Sequence, residues 1–223
     1  MSIQISRLTE ADIPGVVKAI QEAFDNDPYN NWVFDKSKFN AQRNAVSLGI
    51  RCNWGIRNAM FYVAKEEGND KVLGVSMWLP PQKAGEKQSW GDWFEGWRMW
   101  LEQVGMNLWY GRGGLNVKRY YIWKDAQKKA QEIVWTDPRG YYFLNIMVVI
   151  PEAQGKGIGK KLVTVVTDKA DAEGMKCYLE SSKDKPNMQI YERMGFKFAE
   201  ALDCDDNGAV CNLFCMVREP KPM

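Results

Sequence analysis

Histidine is absent from this chain of 223 residues. That absence excludes a Ser-His-Asp triad, a Cys-His pair and a histidine-ligated metal. Proton transfer must then fall to Glu, Asp, Tyr, Lys, Cys or water. Cysteine is scarce and odd in number. Cys52, Cys177, Cys204, Cys211 and Cys215 show no C-x-x-C spacing, which argues against both a disulfide framework and a structural zinc site. No metal is expected. Cys211 and Cys215 alternate with apolar residues, as buried free thiols in a strand do, and a reducing cytoplasm fits them. No apolar run approaches the roughly 20 residues that cross a bilayer. Met1 to Glu10 lacks both the basic segment and the apolar core of a signal peptide, so neither secretion nor a membrane partner is expected. A large charge of one sign is also missing: the net charge of +2 predicts no nucleic-acid partner.

What is present fits one sizeable core, with 45% hydrophobic and 26% charged residues. Thr9 can cap a first helix over Glu10 to Phe24, with Val16, Val17, Ile20 and Phe24 on its apolar face. Asp25 to Asn31 is turn chemistry, and Ser37 can cap a second helix from Lys38 to Arg57. Phe61 to Lys65 and Val72 to Leu79 read as a hairpin around Gly68-Asn69-Asp70. From Gly85 to Trp135 the chain is helical and rich in tryptophan, with Trp90, Trp93, Trp97 and Trp100 on one helix face. That face is either an aromatic packing surface or a wall over a substrate with an apolar part, and its size also admits an interface. Monomer and homodimer both remain open.

Tyr141 to Ile150 is a nearly continuous apolar strand, as expected of one covered on both faces. A glycine loop follows, then a helix over Lys156 to Glu173 whose buried stripe is Ile158, Leu162, Val165, Val166 and Ala170. Lys176 to Glu180 is the next strand, completing one β-loop-α-β unit. Asn187 to Met194 is a short helix, and Phe196 to Ala201 pairs with Ala209 to Val217.

The loop Gln154-Gly155-Lys156-Gly157-Ile158-Gly159-Lys160 has the makings of an anion cradle. Glycine permits a sharp turn and close approach to phosphate oxygens, and a helix N-terminus adds free donors and partial positive charge. Lys156, Lys160 and Lys161 bring full charges, with no acid between Gln154 and Thr167. A Walker A loop fails on spacing. A dinucleotide fingerprint needs G-x-G-x-x-G, whereas this loop is G-x-G-x-G; Glu180, about 20 residues on, keeps that reading as the runner-up.

The loop resembles motif A of the GNAT superfamily of acetyltransferases, Gln/Arg-x-x-Gly-x-Gly/Ala, preceded here by Met147-Val148-Val149-Ile150-Pro151. A second match lies in Tyr178-Leu179-Glu180-Ser181-Ser182, Asn187, Tyr191-Glu192-Arg193 and Gly195-Phe196. Within the superfamily the chain resembles the puromycin N-acetyltransferase group of small-molecule modifiers, also through Ala23-Phe24 before Asp27-Pro28 and through Trp78-Leu79-Pro80-Pro81. It departs from that group in the aromatic insertion.

The resemblance implies one GNAT-like domain over residues 1–223, an α/β (α+β) fold. Its central sheet would be mixed and mostly antiparallel, with one parallel β-α-β unit at the acyl-CoA site and flanking helices. It implies acetyl-CoA as co-substrate, laid along Met147, Val148 and Val149. Backbone donors of Gln154 to Lys160 would hold the pyrophosphate, and Asn187 would supply a polar contact. An alkyl amine, with a pKa of about 10, arrives protonated and needs a base. Glu180 is the candidate base and Tyr191 the candidate acid toward the departing sulfur. A solvated carboxylate and a core tyrosine are the plain alternatives. Asp25, Asp27 and Trp78 are candidate contacts to a small-molecule amine. A protein or peptide acceptor, and an acyl-CoA sensor without turnover, are the competing functions.

Overall fold

The computed structural model describes residues 2–83, 85 and 90–222. Strand β1 (Ile3–Arg7) precedes a 3-10 turn at Glu10–Asp12 and helix α1 (Ile13–Phe24). Thr9 caps this entry as expected, its N–H and Oγ both donating to the Asp12 carboxylate at 3.0 and 2.7 Å. The segment read as a turn contains a short helix, α2 (Pro28–Val33), because Asp27 accepts from the Asn30 N–H at 3.2 Å and Pro28 follows it. Ser37 does not start the next helix. Helix α3 (Ala41–Asn58) begins after Asn40, whose side chain accepts from the Arg43 N–H at 2.9 Å. The hairpin β2 (Met60–Glu66) and β3 (Val72–Leu79) follows.

The aromatic segment forms two helices, α4 (Trp90–Tyr110) and α5 (Val117–Val134); its residues 86–89 lie outside the described residues. The remaining elements are β4 (Tyr142–Val149), α6 (Ile158–Ala172), β5 (Cys177–Ser181), α7 (Asn187–Glu192), β6 (Lys197–Asp206) and β7 (Ala209–Arg218). The strands form one seven-stranded sheet in the order β1-β2-β3-β4-β5-β7-β6, antiparallel throughout except between β4 and β5. This is the mixed sheet expected, and its single parallel pair does not build the doubly wound sheet of a dinucleotide fold.

Helices cover both faces. On β3, Met77 meets α3, where a Cβ on Gly55 would lie 3.2 Å from its sulfur, while Gly74 and Ser76 face α6. That explains why β3 is apolar almost without interruption. The α6 stripe differs from expectation at one position: Val163 is buried and Val165 exposed, so the helix turns slightly further toward the β5 side. Beyond β4, α2 and α5 bury Trp32, Trp123, Tyr141, Phe143 and Tyr178 on one face, while Leu179, Phe196 and Met216 pack under α6 and α7 on the other.

The tryptophan face of α4 is neither packed nor a wall. Trp90 is 80% exposed and Trp97 47% exposed. Toward α3 this helix instead turns polar groups. Glu95 accepts from Arg57 at 2.8 Å, and Asn107 accepts from Arg43 at 2.7 Å.

Candidate active site

The parallel pairing of β4 with β5 is short. Tyr142, Phe143 and Leu144 pair with Cys177, Tyr178 and Leu179, and there it stops. Strand β4 runs on to Val149, still paired with β3 on its other side, so its second edge is left open beside β5. A cavity of about 650 Å³ occupies this wedge. Its floor is Phe143 to Met147 of β4, and Glu180, Ser181 and Ser182 at the end of β5. Its walls come from α1, α2, α3 and α5, with Asn187 and Tyr191 of α7 at one side.

Glu180 stands at the center of a polar cluster. Its Oε2 accepts from Gln127, and its Oε1 accepts from the Tyr178 hydroxyl at 2.9 Å and from Gln131 at 3.3 Å. An ionised carboxylate offers about four lone-pair sites, so three donors leave one for a ligand or water. Burial raises the Glu180 pKa above its ordinary value, against the opposing pull of those donors and of Lys124. A carboxylate raised in this way takes up a proton more readily than an ordinary one, as a general base must. The donors from α5 were not legible beforehand. Lys124, Gln127 and Gln131 do recur at i, i+3 and i+7, a polar stripe on one helix face that could have drawn attention to them.

Tyr191 lines the same cavity, its ring 6.0 Å from that of Phe196 and tilted edge-on. Burial pushes its phenol up to about 12, so it stays protonated at neutral pH and can donate. Asn187 reaches Ser181 Oγ through its side-chain N–H at 3.2 Å.

The glycine loop lies beyond the Val149 end of β4, after a 3-10 turn at Pro151–Ala153. Gly155 and Gly157 adopt φ of 76° and 75°, the left-handed region that side chains disfavour. Gly157 is also the N-cap of α6, and no side chain caps that end. The Lys161 N–H closes the first turn onto the Gly157 carbonyl at 3.1 Å, which leaves the amides of residues 158–160 without intrahelical acceptors. Gln154, Lys156 and Lys160 are exposed around them. Space for a Cβ is open at Gly155 and Gly157, so there the backbone needs glycine's conformation rather than room. At Gly159 a Cβ would lie 3.2 Å from Met147 Cε, and there the need is close packing. Such a cradle fits a diphosphate.

Residues 116–198 match a family described as an acetyltransferase (GNAT) domain. An uncharacterised N-acetyltransferase of Schizosaccharomyces pombe is 30% identical over 153 residues, covering 66% of this chain and 57% of that protein. Solved acetyltransferase structures share the fold. Arylalkylamine N-acetyltransferase 2 of Aedes aegypti superposes with a TM-score of 0.66 at 14% identity, covering 99% of this chain and 100% of that one. A Drosophila melanogaster polyamine N-acetyltransferase gives 0.63 at 12% identity, covering 98% and 100%. A Corynebacterium glutamicum chain described as histone acetyltransferase HPA2 and related acetyltransferase gives 0.61 at 19%, covering 100% and 99%.

Within this fold the expected site residues do not all meet. Met147, Asn187, Tyr191, Glu180, Asp25 and Asp27 line the cavity. Val148 and Ile158 are buried side chains that can offer only their backbones, and Val149 O already accepts from Gln154 Nε2 at 3.2 Å. Asp27 is committed to structure, accepting from the Asn30 amide and from Ser182 Oγ at 2.9 Å. Trp78 is a correction. It is fully buried in the core beneath α6, with no surface toward the cavity, because the alternation of β3 turns it away from α3. Besides Tyr191, the aromatic side chains that do line the cavity are Phe24, Tyr29, Phe34, Phe39, Tyr120, Trp123 and Phe143.

Proposed function

We propose that residues 1–223 act as one acyl-CoA-dependent N-acetyltransferase domain. It moves an acetyl group from acetyl-CoA to a primary amine of a small molecule, by direct attack within a ternary complex. The observation that carries this reading is the wedge between β4 and β5, where Glu180 and Tyr191 line one cavity with the glycine loop beyond the Val149 end of β4. The co-substrate supplies an activated thioester carbonyl. The open edge of β4 from Asn145 to Val149 offers main-chain partners for its amide-bearing arm, and residues 154–160 offer donors for its diphosphate. Glu180 takes the proton from the amine as the C–N bond forms. Tyr191 donates toward sulfur as the C–S bond breaks, so the coenzyme leaves as a thiol. No cysteine nucleophile is needed, and burial raises the thiol pKa of all five cysteines. Free buried thiols also suit a reducing cytoplasm.

A cavity walled on several sides favours a small amine over a peptide, which needs an open groove. Incubation with acetyl-CoA and a panel of amines, followed by free-thiol release and by mass spectrometry of the products, tests the reading. Release that depends on a small amine is expected. Release only with peptides would move the acceptor to protein N-termini or lysines. Acetyl-CoA binding with no release would leave a sensor.

A further inference from the structure

Three cations line the cavity, Lys36, Arg51 and Lys124, and the last two come from the helices that wall it. Arg51 projects from α3 and Lys124 from α5, and both line the same space as Glu180. Among the described residues, neither has an ion pair or a side-chain hydrogen bond, and Asp25, a third acid lining the cavity, pairs with neither of them. Glu180 spends its contacts on Gln127, Gln131 and Tyr178, and Asp27 on Asn30 and Ser182. The phosphate cradle does not claim these cations either, because none of residues 154–160 lines the cavity.

Resting on the acetyltransferase reading, we infer that the acceptor amine also carries an anionic group, a carboxylate or a phosphate, held between Arg51 and Lys124. Two like charges converging on one cavity repel, and an anion between them relieves that repulsion while gaining charge-assisted hydrogen bonds. The Lys124 ammonium is held below its ordinary value, first by desolvation and then by the Arg51 guanidinium, while Glu180 pulls the other way. The Arg51 guanidinium also opposes the upward push of burial on the Tyr29 phenol, which lines the same cavity. The acceptor's amine would then face Glu180 and its anion the α3–α5 side. Tyr29, Tyr120 and Trp123 would flank an apolar portion between them.

Calorimetry in the presence of coenzyme A tests this with paired probes. L-phenylalanine is compared with phenethylamine for a carboxylate, and O-phosphoethanolamine with ethanolamine for a phosphate. In at least one pair the anionic member should bind about tenfold tighter or more. That preference should disappear in Arg51→Met and in Lys124→Met, and return in Lys124→Arg. The pair that discriminates identifies the anion. If the neutral member of every pair binds as well as its anionic partner, or if the preference survives both methionine substitutions, the inference is overturned. The transferase reading fails separately, by an absence of thiol release with every amine while the anion preference persists.

Discussion

Glu180 is a carboxylate whose environment pulls its pKa in two directions. Burial raises it, and the donors Gln127, Tyr178 and Gln131 lower it by favouring the charged form. The net direction is upward, so the acid limb of kcat/KM should lie above the usual carboxylate range. Gln127→Leu removes a donor to the charged form and should move that limb to higher pH. Glu180→Gln should abolish the limb and cut the rate by about 10²–10⁴. Rate profiles at saturating acetyl-CoA check both; a limb that survives Glu180→Gln would transfer the base role to Asp25, acting through water. Tyr191→Phe keeps the ring contact with Phe196 but removes the donor. It should lower kcat by about 10²-fold while the KM for acetyl-CoA barely moves. Equal turnover would remove Tyr191 from the acid role.

Among the elements, the β4–loop–α6–β5 unit was readable in advance because each part carries a local signal: an apolar run, alternating glycines and a helical stripe. Strand β1 was missed because Ile3 and Ile5 sit in a polar segment at the sheet edge, where one neighbour suffices to pair them. Helix α2 was missed because its composition is that of a turn, although Asp27-Pro28 is also a cap. Tryptophan is densest in α4, yet of the two helices in the aromatic segment it is α5 that contributes to the cavity wall, since which helix packs over β4 depends on contacts distant in sequence. Trp78 failed as a site residue for a related reason: strand alternation decides the face, and a fully buried strand hides its register. Gly74 shows how tightly these elements are fitted. A Cβ there would lie 2.8 Å from the Val148 carbonyl oxygen and 3.1 Å from Leu162. Gly74→Ala should therefore push α6 from the sheet, costing about 1–3 kcal/mol in denaturant unfolding and weakening coenzyme A binding. Unchanged stability would mean that α6 can shift freely.

Across the whole molecule, one ion pair ties the end of α6 to the last strand. Arg218, only 3% exposed, holds both oxygens of Asp171 at 2.7 and 2.6 Å. The guanidinium lowers the Asp171 pKa. The stability this contributes is complete above the ordinary carboxylate range and is lost as pH falls through the depressed folded value. Asp171→Ala leaves a buried cation unpaired and should cost about 3–5 kcal/mol, read by thermal unfolding near neutral pH. A loss below 1 kcal/mol would show that solvent reaches Arg218. The same molecule-wide frame holds the wedge open and seats α6 behind it, so the account depends on what the N-terminal bend of α6 binds. Calorimetry with coenzyme A addresses this directly. Wild-type protein should bind one equivalent, NAD should not displace it, and Gly157→Glu should show no heat. No heat with wild-type protein, or displacement by NAD, would contradict the account.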